Sequence, residues 1–309
     1  MQNTKNNLWE SEMIKLLLKT IWLGFVVTFI LGGCGRGHKK DTVEVLACEP
    51  NLETLGVVPD YAAQAIEAAG GFEAWLRTKE LQFDCVVTFY QADGSFYLTE
   101  QHYDVYPWSN SIRISGREPQ GKFVWQFSKG QFSVLQGGDR IEALTGAQSR
   151  CFAEVILNVI TVPARFFDGS DEFVKLPDPV KVQGQWYYRI NRQIKPAPVL
   201  SARRPASREP RGQAKAETVG VLSEAVFYQN RDSSLFDMLC FPRMSAGEFL
   251  TVRGYDYCPR EASGRNEPTK AGIEKEAVYV PGRIEIFRSR FGGGGAADLQ
   301  ERLVKIDFY

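Results

Sequence analysis

The stretch LQFDCVVTFY, residues Leu81–Tyr90, carries an apolar side chain at every odd position. Its even positions are mostly polar, with Val86 as the exception. Successive side chains of a β-strand point to opposite faces of its sheet, so this alternation predicts a strand with one buried face. The turn sequence ADGS, Ala92–Ser95, follows directly and predicts that the strand continues into a hairpin.

Similar runs occupy most of the remaining chain. Strands are predicted at 96–106, 111–115, 122–127, 131–135, 179–190, 224–229, 234–241, 249–257, 283–289 and 302–308. Short turns separate many of them, and short connections favour antiparallel pairing of neighbouring strands. The run GGGG, residues 292–295, is expected in the loop of the last hairpin.

Two regions have the apolar spacing of helices. Residues 59–81 predict two short helices divided by Gly70 and Gly71, since glycine commonly ends a helix. A longer apolar helix is predicted over Ser149–Phe167, where Pro163 should end or kink it. About ten or more strands with a few helices predict an α+β fold. We expect a curved, mostly antiparallel sheet that forms an incomplete barrel over the helices.

The N-terminal segment determines the expected compartment. Residues Thr20–Gly33 carry no charge, but they are fewer than the roughly 18 to 20 that a membrane-spanning helix needs. Lys15 and Lys19 precede them, which is typical of a secretory signal peptide. Two acidic residues lie before Met13 and do not fit such a signal. Residues 1–12 are therefore interpreted as a mis-set start.

The signal ends in LGGC, Leu31–Cys34, which resembles the bacterial lipobox. That resemblance implies cleavage before Cys34, a diacylglyceryl thioether on its sulfur and further acylation, for example by palmitate. Several acyl chains together form a stable membrane anchor. Gly35 follows the cysteine, and the absence of aspartate there implies the periplasmic face of the outer membrane. The alternative is an uncleaved anchor helix with an incidental cysteine.

The predicted organisation has three parts. Residues 1–33 form the signal peptide, residues 34–58 form a lipidated tether, and residues 59–309 form one domain. A Pro- and Arg-rich insertion at about 196–219 interrupts that domain and contains no aromatic residue. Such a composition cannot bury much surface, so a solvated loop is expected. The alternative is a basic contact site for anionic head groups or cell-wall polymer.

Charge and histidine content exclude several functions. Lysine and arginine total 37, equal to aspartate and glutamate, which argues against a nucleic-acid binder. His38 and His102 are the chain's two histidines, and neither a nucleophile elbow nor a C-x-x-C metal motif occurs. We therefore expect no enzyme activity, no metal and no cofactor. A glycosidase carboxylate pair has no sequence signature, so an enzyme acting on envelope polymers remains a second alternative.

Three segments together resemble proteins of the LolA-like and LolB-like lipoprotein-localisation superfamily. They are AIEAAGGFEAWLRTKELQFDCVVTFY (65–90), VQGQWYYRI (182–190) and VPGRIEIFRSR with ERLVKIDFY (280–290 and 301–309). The resemblance covers about residues 61–309 apart from the insertion. It implies a lipid-binding periplasmic protein whose incomplete β-barrel is closed by helices and offers an apolar cavity to acyl chains.

On this basis the chain is expected to be a monomeric cell-envelope lipoprotein that binds an acyl chain, a lipoprotein or another apolar ligand. The main alternative is an anchored structural or interaction protein without a ligand. Alternating strand residues should line the cavity, although the same residues would equally form a plain core against the helices. The candidates are Phe83, Val87, Phe89, Phe123, Trp125, Phe127, Trp186 and Tyr188.

Overall fold

A computed structural model describes residues 59–128, 130–167, 171–194, 225–242, 249–261, 277–291 and 296–309. All of them belong to one compact unit, Val45–Tyr309. The predicted signal peptide, Cys34, the tether, the 196–219 insertion and the 292–295 loop lie outside the described residues.

The described residues form three helices and fifteen strands. The helices are α1 (Asp60–Ala68), α2 (Phe72–Arg77) and α3 (Gly146–Arg165). The strands are β1 (Leu81–Tyr90), β2 (Phe96–Tyr106), β3 (Ser111–Glu118), β4 (Gly121–Ser128), β5 (Gln131–Gln136), β6 (Asp171–Lys175), β7 (Val180–Val182), β8 (Gln185–Ile194), β9 (Val226–Asn230), β10 (Phe236–Pro242), β11 (Phe249–Tyr255), β12 (Cys258–Glu261), β13 (Ala277–Val280), β14 (Arg283–Phe291) and β15 (Ala297–Phe308).

One large antiparallel sheet dominates the molecule. Its strand order is β5-β4-β3-β2-β1-β15-β14-β11-β10-β9-β8-β6, and β7 pairs with β8. Strands β5 and β6 end the order without pairing with each other, so the described sheet is open. The predicted α+β class and the incomplete barrel are therefore confirmed. The last strand, β15, completes the centre of the sheet by pairing with β1, Val87 opposite Ile306.

The β1–β2 hairpin forms as its sequence predicts. The odd residues of β1 are buried and its even residues are exposed or half-buried. In the turn, the Asp93 carboxylate accepts hydrogen bonds from the Ser95 amide at 2.9 Å and from the Ser95 hydroxyl at 2.6 Å. Gly94 adopts φ of 84°, a left-handed conformation that glycine tolerates best.

Helix α3 lies against one face of the sheet, which we call the inner face. The helix begins at Gly146, three residues before its predicted start, because Thr145 and Gln148 form a capping box. Pro163 does not end the helix, which continues to Arg165. Because proline has no amide hydrogen, the Val159 carbonyl lacks the hydrogen bond that residue 163 would otherwise donate. The buried side of α3 joins the main hydrophobic core.

Strands β12 and β13 form a separate two-stranded sheet that the sequence did not predict. The Tyr279 amide of β13 donates to the Ala69 carbonyl at 2.8 Å, beside the turn between α1 and α2. Gly70 has φ of 108°, and a Cβ there would lie 2.3 Å from the Ala277 carbonyl oxygen. The predicted helix stop at Gly70 therefore also provides the space against which β13 packs.

Other boundaries also differ from prediction. Strand β6 was not predicted, and β11 ends two residues early, at Tyr255, because Asp256 turns the chain with φ of 53°. Strand β15 starts five residues earlier than predicted, at Ala297. Cys85, Cys151, Cys240 and Cys258 form no disulfide within the described residues.

Candidate functional site

Six of the eight candidate residues lie together on the inner face. They come from β1 and β4, which are separated in the sheet by β2 and β3, and each is at most 3 % exposed. All six belong to the main hydrophobic core: Phe83, Val87, Phe89, Phe123, Trp125 and Phe127. The structure therefore assembles one continuous apolar surface from two separate sequence segments, as the alternating pattern predicted.

Helix α3 covers this surface and fills the concavity. Phe152 of the helix contacts Phe89 with ring centroids 5.8 Å apart. Beside them, Phe123 and Trp125 pack with centroids 4.6 Å apart, and the Trp125 indole donates to the Gly138 carbonyl at 2.9 Å. The interior between helix and sheet is thus occupied by interlocking side chains.

A small apolar cavity lies between the C-terminal half of α3, the start of β10 and the base of the β12–β13 hairpin. The centre of a water-sized molecule could move through only about 10 Å³ there. Pockets for drug-sized ligands occupy roughly 300–1,000 Å³. This cavity is therefore too small for an acyl chain.

A larger depression lies outside the core, next to the N-terminus of α3. The centre of a water-sized molecule could move through about 530 Å³ of this depression, which is open to solvent. Glu118, Arg140 and Glu142 place both signs of charge around it. The Glu118 carboxylate is already engaged, since it accepts hydrogen bonds from the Tyr97 hydroxyl at 3.0 Å and the Glu142 amide at 3.3 Å. The lining of the depression is mixed, since Ile141, Ala143 and Leu144 lie beside these charged side chains.

The two remaining candidates lie apart from the six. Trp186 is 45 % exposed and sits opposite Lys181 in the β7–β8 hairpin. Tyr188 is half-buried at the rim of the core, with the Lys175 ammonium 3.9 Å from its ring centroid. Their neighbour Tyr187, which the sequence analysis did not select, is fully buried on the opposite face of the sheet.

A buried polar row on the inner face also escaped sequence prediction. The Gln101 amide donates to the Thr99 hydroxyl at 2.7 Å, and the Tyr103 hydroxyl donates to the Gln101 side-chain oxygen at 3.0 Å. The Cys85 thiol donates to the Gln101 carbonyl at 3.5 Å. Burial raises the pKa of Cys85 to about 12, so it is not a nucleophile at neutral pH.

His102 lies on the opposite face, which we call the outer face, between two carboxylates. Its Nδ1 is 2.8 Å from Asp84 and its Nε2 is 3.0 Å from Asp104. Ionised carboxylates only accept hydrogen bonds, so both contacts are hydrogen bonds at the same time only when the imidazole is protonated. Partial burial lowers the pKa of His102, but the two carboxylates outweigh burial and raise it above the usual value. A general base needs a free ring nitrogen, and this geometry leaves none.

The outer face carries a second, smaller core at its other end. Its buried members are Val180, Val182, Tyr187, Tyr228, Met238, Cys240 and Ala297. Three buried charged residues lie beside it: Asp237 at 9 %, Arg253 at 7 % and Glu285, opposite Arg253, at 8 % exposure. Asp237 and Arg253 lie in strand sequences that contain no motif, so the sequence did not indicate that they are buried close to each other.

Hydrogen bonds satisfy much of this buried charge. The Arg253 guanidinium donates to the Gln183 side chain, to Gln185 at 2.5 Å and to the Tyr187 hydroxyl at 3.2 Å. The Asp237 carboxylate accepts from the Asn230 amide at 2.9 Å. Burial still raises the pKa of Asp237 to about 6, because desolvation outweighs these partners. The cluster is consistent with a structural role in holding the β7–β8 hairpin on the sheet.

The described ranges offer neither a metal cluster nor a membrane-spanning helix. Within them, no group of three or more His, Cys, Asp or Glu side chains could hold a metal ion. Among the helices of the same ranges, none has the length and hydropathy needed to span a bilayer.

The chain is similar to known proteins in structure, although no protein-family model and no curated protein matches it. A LolA superfamily protein from Nitrosomonas europaea has 12 % identity, coverage of 79 % of this chain and 89 % of that one, and a TM-score of 0.44. A DUF1329 family protein from Desulfovibrio piger has 9 % identity, coverage of 82 % and 91 %, and a TM-score of 0.38.

An outer-membrane lipoprotein-sorting protein domain from Vibrio parahaemolyticus is also similar. It has 8 % identity, coverage of 80 % of this chain and 91 % of that one, and a TM-score of 0.37. The described residues form an open antiparallel sheet over helices, as the sequence predicted.

Proposed function

We propose that the chain is a lipid-anchored protein of the cell envelope that binds an acyl chain or another apolar ligand on its inner face. The observation that carries this proposal is how α3 is held. The side of α3 that faces the sheet consists mainly of buried apolar side chains, among them Phe152, Val155 and Ile156. Its attachment depends mainly on apolar side-chain contacts, which are non-directional and which a ligand could supply equally well.

Ligand binding on this basis requires α3 to move. Withdrawing the helix exposes the aromatic surface of β1 and β4, and an acyl chain then replaces the helix side chains. Each buried methylene contributes about 0.8 kcal/mol, so a long chain can compensate for the packing that the helix provided. Polar ties would also have to open, among them those from Arg192 to Asn158 at 3.1 Å and from Arg150 to the Gly130 carbonyl at 3.0 Å.

The mechanism is burial without covalent chemistry. The engaged nitrogens of His102 and the raised pKa of the Cys85 thiol both support this view. The carboxyl group of Asp237, whose pKa is raised to about 6, is buried beside the outer-face core and lines neither of the two cavities described above. Its place favours a structural role.

Membrane attachment rests on the lipobox resemblance at Leu31–Cys34. We place the protein on the periplasmic face of the outer membrane, held by lipid on Cys34. A Cys34→Ser form should accumulate as unprocessed precursor and should not incorporate labelled palmitate. If that variant were processed normally, the proposed lipid anchor on Cys34 would be wrong. The proposal of a ligand site on the inner face would not be affected.

The ligand proposal is tested with the purified full chain. Native mass spectrometry should detect co-purified lipid, and a fluorescent fatty acid should bind saturably. Bound fatty acid should also change amide hydrogen exchange in α3, because the helix leaves the sheet. Trp186→Ala serves as a control, since Trp186 is 45 % exposed and lies outside the aromatic cluster of β1 and β4, so its loss should leave binding unchanged.

One observation favours a second function. The interior is filled by side chains, as expected of a structural or interaction lipoprotein that needs no ligand. If the full chain carries no lipid and takes up no fatty acid, this alternative replaces the first. Its own test is deletion of residues 196–219, which should reduce recovery of cross-linked envelope partners if that insertion is a contact site.

A further inference from the structure

The two edges of the large sheet differ in charge. At one edge, β5 has the sequence QFSVLQ, which contains no charged residue and no proline. At the other edge, β6 has the sequence DEFVK, in which three of five residues are charged. Charged residues on an edge strand prevent pairing with other chains. Strand β6 is protected in this way and β5 is not.

Strand β5 is also exposed. Five of its six residues are exposed, including Val134 at 38 % and Leu135 at 36 %. Phe132 is half-buried, with its ring centroid 5.9 Å from that of Trp125. The described backbone of β5 pairs with β4 alone, so its outward amide and carbonyl groups have no strand partner. A β-bulge beside Leu135 leaves Gln131–Val134 as a regular ladder.

We propose that β5 is a self-association edge, which pairs in antiparallel fashion with β5 of a second copy of this chain. The occupant follows from the chemistry of the edge. A neutral strand with exposed apolar side chains fits another neutral strand, and the copy's own β5 provides one. Pairing two β5 strands about a two-fold axis closes the assembly as a dimer.

The charged edge explains why association stops at two. Pairing β5 of one copy with β6 of the next would be head-to-tail and would extend without limit. Desolvating the charges of β6 opposes that arrangement. The regular ladder is short, so the contact is weak in solution and gains from a high local concentration on a membrane. This dimer replaces the monomer that the sequence suggested, and it does not depend on the ligand proposal.

Two matched variants test the edge. Val134→Lys places a charge on β5, and Val174→Lys places the same charge on β6, where the original valine is similarly exposed at 42 %. Sedimentation equilibrium of the full chain in density-matched micelles should show reversible dimers of the wild type. Val134→Lys should weaken dimerisation at least about tenfold, and Val174→Lys should leave it unchanged.

Hydrogen exchange gives an independent readout on the same samples. Amides of β5 should become protected as wild-type concentration rises, while those of β6 should not change. Circular dichroism should confirm that both variants are folded, as expected for exposed positions. A wild type that is monomeric throughout, or two variants with equal effects on dimerisation, would overturn the proposal.

Discussion

The two faces of the sheet are built on different principles. The inner face buries aromatic and aliphatic side chains of β1 and β4 against α3, and its polar row is hydrogen-bonded within itself. The outer face buries less surface but includes Asp237 and Arg253, and it holds His102 between two carboxylates. Stability of the inner face should therefore depend on volume, and stability of the outer face on charge.

The physical reason lies in what burial costs. Apolar groups gain free energy in proportion to the area removed from water, so removing a buried ring costs that area and leaves a cavity as well. A buried ionisable group loses hydration instead, and its partners return only part of that loss. A change of pH should therefore alter the stability of the outer face directly and leave the stability of the inner face almost unchanged.

The largest effect is expected on the inner face. Trp125→Ala removes a side chain with no exposed surface, two aromatic contacts and the bond to Gly138. We expect a loss of about 3–5 kcal/mol in the free energy of unfolding, measured in urea. Trp186→Ala is the matched control at 45 % exposure, and it should cost less than about 1 kcal/mol. Equal losses would contradict the division of the candidate residues described above.

An intermediate effect is expected from Asp237. Its folded pKa of about 6 is above the unfolded value of 3.8, so the folded state binds more protons between these values. Stability should therefore fall as pH rises from about 4 to 6, by an amount on the order of 2–3 kcal/mol. Asp237→Asn should abolish this part of the pH profile, measured as the difference from wild type in urea unfolding.

The control for that profile is Asp298→Asn, at an exposed position on β15. Its pH profile should follow the wild type. If Asp237→Asn and wild type lose stability in parallel between pH 4 and 6, burial does not disfavour the charged form of Asp237. The stability of the outer face would then depend on charge less than proposed.

The smallest effect is expected from His102. The raised folded pKa means that His102 stabilises the protein below the unfolded pKa of 6.5, and this contribution is lost as pH rises through the folded pKa. The ring is 38 % exposed, so solvent screening limits the effect to less than about 1 kcal/mol. His102→Gln should be less stable than wild type in mild acid and equal to it in alkaline solution, as followed by thermal unfolding. A difference that grew with pH would show that the histidine is held neutral.

The sequence predicted elements well where one pattern continued long enough. Strand β1 and the β1–β2 hairpin were predicted to the residue because ten alternating positions and a turn signal agree. Strands β12 and β13 were missed, since four residues each are too few to show a period. The start of α3 was misplaced because the capping box at Thr145 lies before the apolar stripe begins.

The candidate residues likewise divide into those whose position the sequence pattern identified and those for which it did not. On β1 and β4 the alternation alone identified the buried face, and all six residues were placed correctly on it. Trp186 and Tyr188 were assigned by the same alternation, but Trp186 lies in the β7–β8 hairpin outside the main core and stays largely exposed. Periodicity identifies which side chains share a face, but it does not tell what covers that face.

The sequence by itself determined the class of fold, the strands of the sheet centre and the apolar surface of β1 and β4. These follow from local periodicity, which a single chain segment displays on its own. Tertiary structure decided that α3 fills the concavity, that Asp237 and Arg253 are buried together, and that β5 is an uncovered edge. Each of those depends on contacts between distant segments, whose packing and desolvation no local pattern records.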